Sequence, residues 1–263
     1  MRPRAAPKVF NLKRSRVATP ILRRHLTSTM SPKPALRDAE VLPPVLFDLD
    51  GTLIDSVYEH VRAWHDTLRS AGIVISTWKI HRRVGMSGKS FVRELLRELS
   101  PNRTEVDLDE LEAGHDRRFG QTIRNLLPLP GANELLRHLH QSKVQIAIGT
   151  TGNRKQTDLL LKKLNLPSGT PVLTGDDVKS AKPAPDIFVA AAQSLGVAIS
   201  DCIVVGDSVW DLLAAGRKGA LGISFLSGGY GSYELEQAGA FRVYSDPADM
   251  LLHLEQVGLP GIS

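Results

Sequence analysis

Apolar positions fall along the chain in two rhythms. The run Val45-Leu46-Phe47 follows Pro43-Pro44 and meets polar residues at Asp48, which predicts a short buried strand ending at Asp48. From about 56 to 127 the rhythm is helical. Val57, Val61, Trp64 and Leu68 are spaced four, three and four residues apart and share one face. The stretches SFVRELLREL and DELEAGHDRRFGQTIRNLL continue in the same style, with no strand pattern between them. After the Pro128-to-Gly131 break the chain alternates. Strands are predicted at VQIAIG, PVLTG, CIVVG, LGISFL and FRVY, with amphipathic helices at ANELLRHLHQ, over 153–164, over 186–195, at VWDLLAAGRK and near the end. Short apolar strands alternating with helices predict a parallel α/β sheet flanked by helices. The segments 44–57 and 128–263 would form that core, with 58–127 a small all-helical domain inserted after the first strand.

Charge changes the picture at one end only. The net charge is +5, yet residues 1–37 hold ten of the 33 Lys/Arg and none of the 28 Asp/Glu. The rest carries 23 basic against 28 acidic groups, so the high pI belongs to a tail and no nucleic-acid partner is expected of the body. Residues 1–43 are read as a basic extension outside the fold. An Arg-rich, acid-free segment with Ser and Thr has the marks of an organellar transit peptide, and a start at Met30 is the other reading. The expected compartment is the cytoplasm, or a mitochondrion or other organelle if residues 1–30 are a targeting segment. No run approaches 18 apolar residues, so no membrane span is expected. The single Cys202, within an apolar strand, reads as a core residue.

Candidate chemistry sits where strands end. In an open parallel sheet, ligands bind beyond the carboxyl ends of the strands. Those positions hold Asp48 and Asp50, then Thr150 or its neighbour Thr151, then the loop carrying Lys182, then Asp207. Other motifs are weaker. RVGMSGKS (83–90) ends like a nucleotide phosphate loop, but Arg83 replaces the first glycine and no buried strand precedes it. His115-Asp116 lacks the partners of a metal phosphohydrolase, and His60 and His65 are five residues apart rather than the four of a helical zinc pair. All eight histidines are read as surface or packing residues.

DLDGT (48–52), a hydroxyl ending a strand, Lys182 in a Lys-Pro pair and GDSVWD (206–211) occur in that order, with a helical insertion after the first. In this the chain resembles the haloacid dehalogenase superfamily over about residues 44–257, within it the phosphatases with a small helical cap, such as phosphoglycolate phosphatases and β-phosphoglucomutases. The resemblance implies a Rossmann-like core and a Mg2+-dependent phosphatase acting on a small phosphorylated metabolite as a monomer or homodimer. Asp48 would be the nucleophile that forms an aspartyl-phosphate, and Asp50 the general acid and base. Thr150 and Lys182 would hold the phosphoryl group. Mg2+ would take the Asp48 carboxylate, the Asp50 backbone carbonyl and the Asp207 carboxylate, with Asp211 in support. Arg83, Ser87 and Lys89 fall where the cap's substrate loop is expected. A phosphoglycolate phosphatase-like activity is the first expectation. A sugar phosphomutase, or a binding protein using its basic tail, are the alternatives.

Overall fold

The computed structural model describes residues 42–86, 88–99 and 107–262. The basic extension up to residue 41, and Ser87 with the side chain of Lys89, lie outside the described residues. Six strands, β1 (Val45–Phe47), β2 (Ile146–Gly149), β3 (Val172–Leu173), β4 (Ile203–Gly206), β5 (Leu221–Phe225) and β6 (Ala240–Tyr244), form one sheet in the order β3-β2-β1-β4-β5-β6. Every pairing is parallel. β1 lies in the middle. Val45 is level with Ile146 of β2 and Ile203 of β4, so these three strands reach their carboxyl ends side by side. The chain builds outward from β1 on one side, then returns to start β4 on the other. That reversal opens a crevice between neighbouring loops, where α/β sheets bind ligands.

Strand periodicity explains the two apolar layers. Val45 and Phe47 point to one face and pack with Leu135, Leu136 and Leu139 of α5 (Ala132–Gln141). Leu46 points to the other and packs with Ile187, Phe188 and Ala191 of α7 (Asp186–Ser194). With both faces covered, β1 is apolar throughout, as parallel strands require. Cys202 is buried in the second layer, as its sequence setting predicts.

Between β1 and β2 come α1 (Val57–Ser70), α2 (Thr77–His81), α3 (Gly88–Leu99) and α4 (Leu108–Thr122). The predicted stripe Val57, Val61, Trp64 and Leu68 is buried. Its last three members join Ile80, Phe91, Val92, Leu95 and Leu111 in an apolar cluster of their own, separate from the sheet's two layers. The remaining helices are α6 (Arg154–Leu161), α8 (Val209–Gly216), α9 (Ser232–Gln237) and α10 (Pro247–Leu252). Among the described residues, no helix is long and apolar enough to cross a membrane.

A seam joins the helical block to the sheet's loops around residues 81–85. The Arg82 carbonyl accepts from Trp210 Nε1 at 3.2 Å and from Tyr230 OH at 3.1 Å. The Arg82 guanidinium lies 4.3 Å from the Tyr230 ring centroid and pairs with Glu234. His81 Nε2 donates to the Gly228 carbonyl at 2.7 Å, and Thr151 Oγ1 donates to the Gly85 carbonyl at 3.4 Å.

Candidate active site

Three strand ends and one loop build the site. β1 stops at Phe47, one residue earlier than predicted, because the chain turns at once. Gly51 takes φ +77, and its N–H donates to the Ile54 carbonyl at 2.8 Å. A side chain at Gly51 would be strained at that φ and would collide with the Asp207 carboxylate. This turn holds Asp48 and Asp50 on either side of Leu49. β2 ends at Thr150. Asp207 follows the end of β4, and Ser208 then stands at the N-cap of α8, where Asp211 Oδ2 accepts from its N–H at 3.2 Å and from its Oγ at 2.6 Å. Lys182 comes in on the loop before α7.

The result is a dense buried charge cluster. Asp48, Asp207, Asp211 and Lys182 are 4%, 5%, 1% and 1% exposed. Lys182 Nζ lies 2.5 Å from Asp48 Oδ1 and 2.7 Å from Asp211 Oδ1. Burial alone would lower the pKa of this lysine, but the Asp211 and Asp48 carboxylates hold it above the ordinary value. One ammonium does not neutralise three carboxylates. Burial, Asp211 and Asp50 push Asp48 up to about 7 against the pull of Lys182. Burial and the charges of Asp211 and Asp48 push Asp207 well above the usual carboxylate range.

Asp50 is treated differently. Burial would raise its pKa too, but His60 and the Ser56 hydroxyl outweigh it and hold the group below the ordinary value. Ser56 Oγ donates to Asp50 Oδ1 at 2.6 Å, His60 Nε2 lies 3.2 Å from the same oxygen, and Thr150 Oγ1 donates to Oδ2 at 3.3 Å. Ser56 occupies the N-cap of α1 but makes no side-chain cap there. Its hydroxyl serves Asp50 instead of the helix N–H groups. Two carboxylates on one turn are therefore set apart by their surroundings, one beside a lysine and one ringed by two hydroxyls and an imidazole.

Oxygen ligands suit a hard divalent cation. One carboxylate oxygen from each of Asp48, Asp207 and Asp211 lies within 4.8 Å of the others, in a pocket with excess negative charge. This cluster fits Mg2+. Asp48 and Asp207 belong to the ligand set implied by resemblance and Asp211 is its supporting residue, while the Asp50 carboxylate turns towards Ser56, His60 and Thr150, which leaves its backbone carbonyl as the ligand implied there.

Above the cluster lies a cavity of about 680 Å3, lined by Asp48, Asp50 and Asp207 from the sheet and by residues of the helical block, among them His60, Trp64, Arg83 and Arg93. The structure thus brings together Asp48, Asp50, Thr150, Lys182, Asp207 and Asp211. Thr151, the alternative to Thr150, points instead to the helical block. Arg83 lines the cavity, but its guanidinium donates to Glu98 Oε2 at 2.6 Å and to the Lys79 carbonyl at 3.0 Å. Ser87 and the Lys89 side chain lie outside the described residues. α3 does begin at Gly88, yet only an isolated bridge, Val84 to Met86, precedes it, so RVGMSGKS lacks the strand of a nucleotide loop.

The reading of all histidines as surface or packing residues is corrected here. His60 touches Asp50, and behind it His115 is buried among aromatic rings. His60 lies three residues after Val57 and four before Trp64, inside the buried stripe of α1, and that placement was the available signal. His115 has no such signal, because only the packing of α4 on α1 brings it near. Burial lowers the His115 pKa to about 4, outweighing the Asp116 hydrogen bond that would raise it. A histidine with a depressed folded-state pKa contributes stability that is present above the unfolded value near 6.5 and lost as pH falls towards 4. The difference corresponds to roughly 3 kcal/mol. Wild-type protein should therefore lose more thermal stability between pH 6.5 and 4 than His115→Phe, which cannot protonate. Parallel melting profiles for the two proteins would contradict this.

Comparison with known proteins places the chain. The family model described as a haloacid dehalogenase-like hydrolase matches residues 45–219. Hexitol phosphatase A of Escherichia coli strain K12 is 33% identical over 174 residues, covering 65% of this chain and 78% of the relative. A fructose-1-phosphate phosphatase of the same strain is 28% identical over 181 residues, covering 66% of this chain and 92% of the relative. A hydrolase from Pseudomonas syringae, known from its crystal structure, superposes with a TM-score of 0.78 at 42% identity, covering 82% of this chain and 99% of that one.

Proposed function

Since the chain belongs to the haloacid dehalogenase-like hydrolases and hydrolyses phosphate monoesters, we propose that it is a Mg2+-dependent phosphatase of sugar or polyol phosphates that works through an aspartyl-phosphate on Asp48. The observation that carries this reading is the pairing of Asp48 with Lys182 at 2.5 Å beneath the cavity, with Asp50 on the same turn. Asp48 Oδ attacks phosphorus and the ester oxygen leaves with its electron pair. Asp50 protonates that oxygen, then takes a proton from the water that releases phosphate from Asp48. Lys182 and the Thr150 hydroxyl balance the charge of the phosphoryl oxygens. A Mg2+ ion held by Asp48, Asp207 and the Asp50 carbonyl, with Asp211 beside it, would supply the positive charge that lets a carboxylate approach a phosphate dianion.

Phosphoglycolate is the substrate first suggested by resemblance. A hydroxylated substrate is favoured over it. The cavity is far larger than a two-carbon acid requires, and the side of it formed by α4 presents Asp116 rather than a cluster of cations. Two relatives are named for a hexitol and for fructose 1-phosphate. Phosphate release from fructose 1-phosphate, sorbitol 6-phosphate and phosphoglycolate tests the assignment. The sugar and polyol esters should exceed phosphoglycolate at least tenfold in kcat/KM, and the reverse order would overturn the substrate class. Accumulation of a rearranged sugar phosphate, with no free phosphate, would make the protein a mutase instead.

Activity should vanish in excess chelator and return with Mg2+. Ca2+ should restore little, because its longer and looser coordination misplaces the in-line geometry. Full turnover in excess chelator would exclude a metal-assisted site.

A further inference from the structure

The hydrogen bonds around Asp50 continue past His60. The other ring nitrogen of His60, Nδ1, lies 3.0 Å from His115 Nε2 on α4. His115 Nδ1 lies 3.2 Å from Asp116 Oδ1. The second oxygen of Asp116 accepts from Asn153 Nδ2 at 3.0 Å, and its backbone carbonyl accepts from Gln156 Nε2 at 3.0 Å. Asn153 is the N-cap of α6, three residues beyond Thr150, and its own Oδ1 accepts from the Gln156 N–H. The path thus leaves the sheet at Asp50, crosses α1 and α4, and returns to the sheet at Asn153.

Each link has a direction. A carboxylate only accepts, so the proton between His115 and Asp116 sits on His115 Nδ1. A neutral imidazole has one N–H, so His115 Nε2 is left as an acceptor and His60 Nδ1 must donate to it. That leaves Nε2 of the same ring 3.2 Å from Asp50 Oδ1, a contact that is a hydrogen bond when a proton lies between the two atoms, on the ring or on the carboxyl. Stacking holds the planes in place. His60 lies 3.7 Å from the Phe119 ring centroid with planes 16° apart, and His115 lies 4.4 Å from Trp64, also at 16°. His115 is 6% exposed and the phosphoryl-transfer scheme makes no use of it.

We propose that His115 and Asp116 are positioning residues for the reaction, which fix the tautomer and orientation of His60 and through it the aim of the Asp50 carboxyl at the leaving oxygen. The inference rests on the role given to Asp50 above. Asn153 and Gln156 tie the pair to the sheet, so the setting holds only while the helical block is docked on it.

The test uses His115→Phe, which keeps the aromatic stack, and Asp116→Asn, which keeps size but replaces an acceptor-only group with one that can also donate to His115. The quantity kcat/KM covers the steps through leaving-group departure. An alkoxide needs a proton to leave and p-nitrophenolate does not, so loss of aim should fall on alkyl esters. For fructose 1-phosphate both variants should lose about 10- to 100-fold in kcat/KM, a part of what a general acid supplies. The loss on p-nitrophenyl phosphate should be at least fivefold smaller. Independently of turnover, nitrogen-15 spectra of imidazole-labelled protein should show His60 with its proton on Nδ1 in the wild type and an altered signature in both variants. Equal losses on the two esters, no loss on either, or an unchanged His60 signature in His115→Phe would overturn the proposal. Failure of the Asp50 assignment itself is read separately, from Asp50→Asn losing equally on both esters.

Discussion

Replacing Asp48 with Asn abolishes phosphate release and leaves the protein as stable as before, or more so. The amide keeps the size of the side chain and removes its nucleophilic charge. Stability should not suffer, because the ionised carboxylate is a burden in this pocket. Its pKa is raised to about 7 by burial and by its acidic neighbours. A carboxyl group with a raised folded-state pKa contributes stability only when protonated. That contribution is complete below the ordinary value of 3.8 and is lost as pH rises through 7. At pH 8 the wild type has already lost it, so Asn costs little there. Lys182 still has Asp211 at 2.7 Å. Phosphate release and melting temperature at pH 8, measured on the same preparation, decide the matter. Undiminished turnover would remove Asp48 from the nucleophile's role, and a collapse in melting temperature would make the loss of activity uninformative about mechanism. Asp50→Asn makes a useful companion. Losing a general acid and base costs about 10²- to 10⁴-fold in rate, while the backbone carbonyl at that position is unchanged.

The second large effect is on stability. Lys182→Met removes the ammonium that sits between Asp48 and Asp211, which are 4% and 1% exposed. Deleting one partner of a buried ion pair typically costs about 3–5 kcal/mol, because the remaining charge is left without compensation. For a domain of this size that corresponds to a fall of roughly 10 °C in melting temperature. The loss should shrink as pH is lowered from 8 to 5, since the orphaned carboxylates then take up protons. Activity should disappear along with the charge balance. An unchanged melting temperature at pH 8 would mean that the cluster is far better solvated than its burial implies.

Much of this site was legible because parallel sheets put their chemistry at strand ends. Asp48, Thr150 and Asp207 each follow an apolar run of three or four residues, and the pairing of β1 with both β2 and β4 makes those runs neighbours. Lys182 could be found from its Lys-Pro setting, although nothing in the local sequence says that it reaches 134 residues back to Asp48. Thr150 and Thr151 could not be separated by pattern, since adjacent residues differ only in which way they point. The structure separates them, one facing Asp50 and the other Gly85. The histidine path was invisible for another reason. His60 and His115 are 55 residues apart on two helices whose relative packing no periodicity encodes. Within the helical stretch 56–127 the sequence placed a loop at 83–90, and the described residues hold α1 to α4, with turns at 82–86 between α2 and α3.

That loop's seam has a meaning for protein engineering. Trp210, Tyr230 and Glu234 lie more than 120 residues beyond Arg82, yet they clasp its carbonyl and guanidinium. The helical block has its own apolar interior, which invites transplanting it whole from a relative to change what the enzyme accepts. A transplant cut at residues 57 and 127 would leave half of the clasp behind. The incoming block would meet a tryptophan, a tyrosine and a glutamate shaped for another arginine, and it would dock askew over Asp48. Exchanging substrate preference between such proteins therefore means moving two stretches of gene together, the helical insert and the short run from 209 to 234.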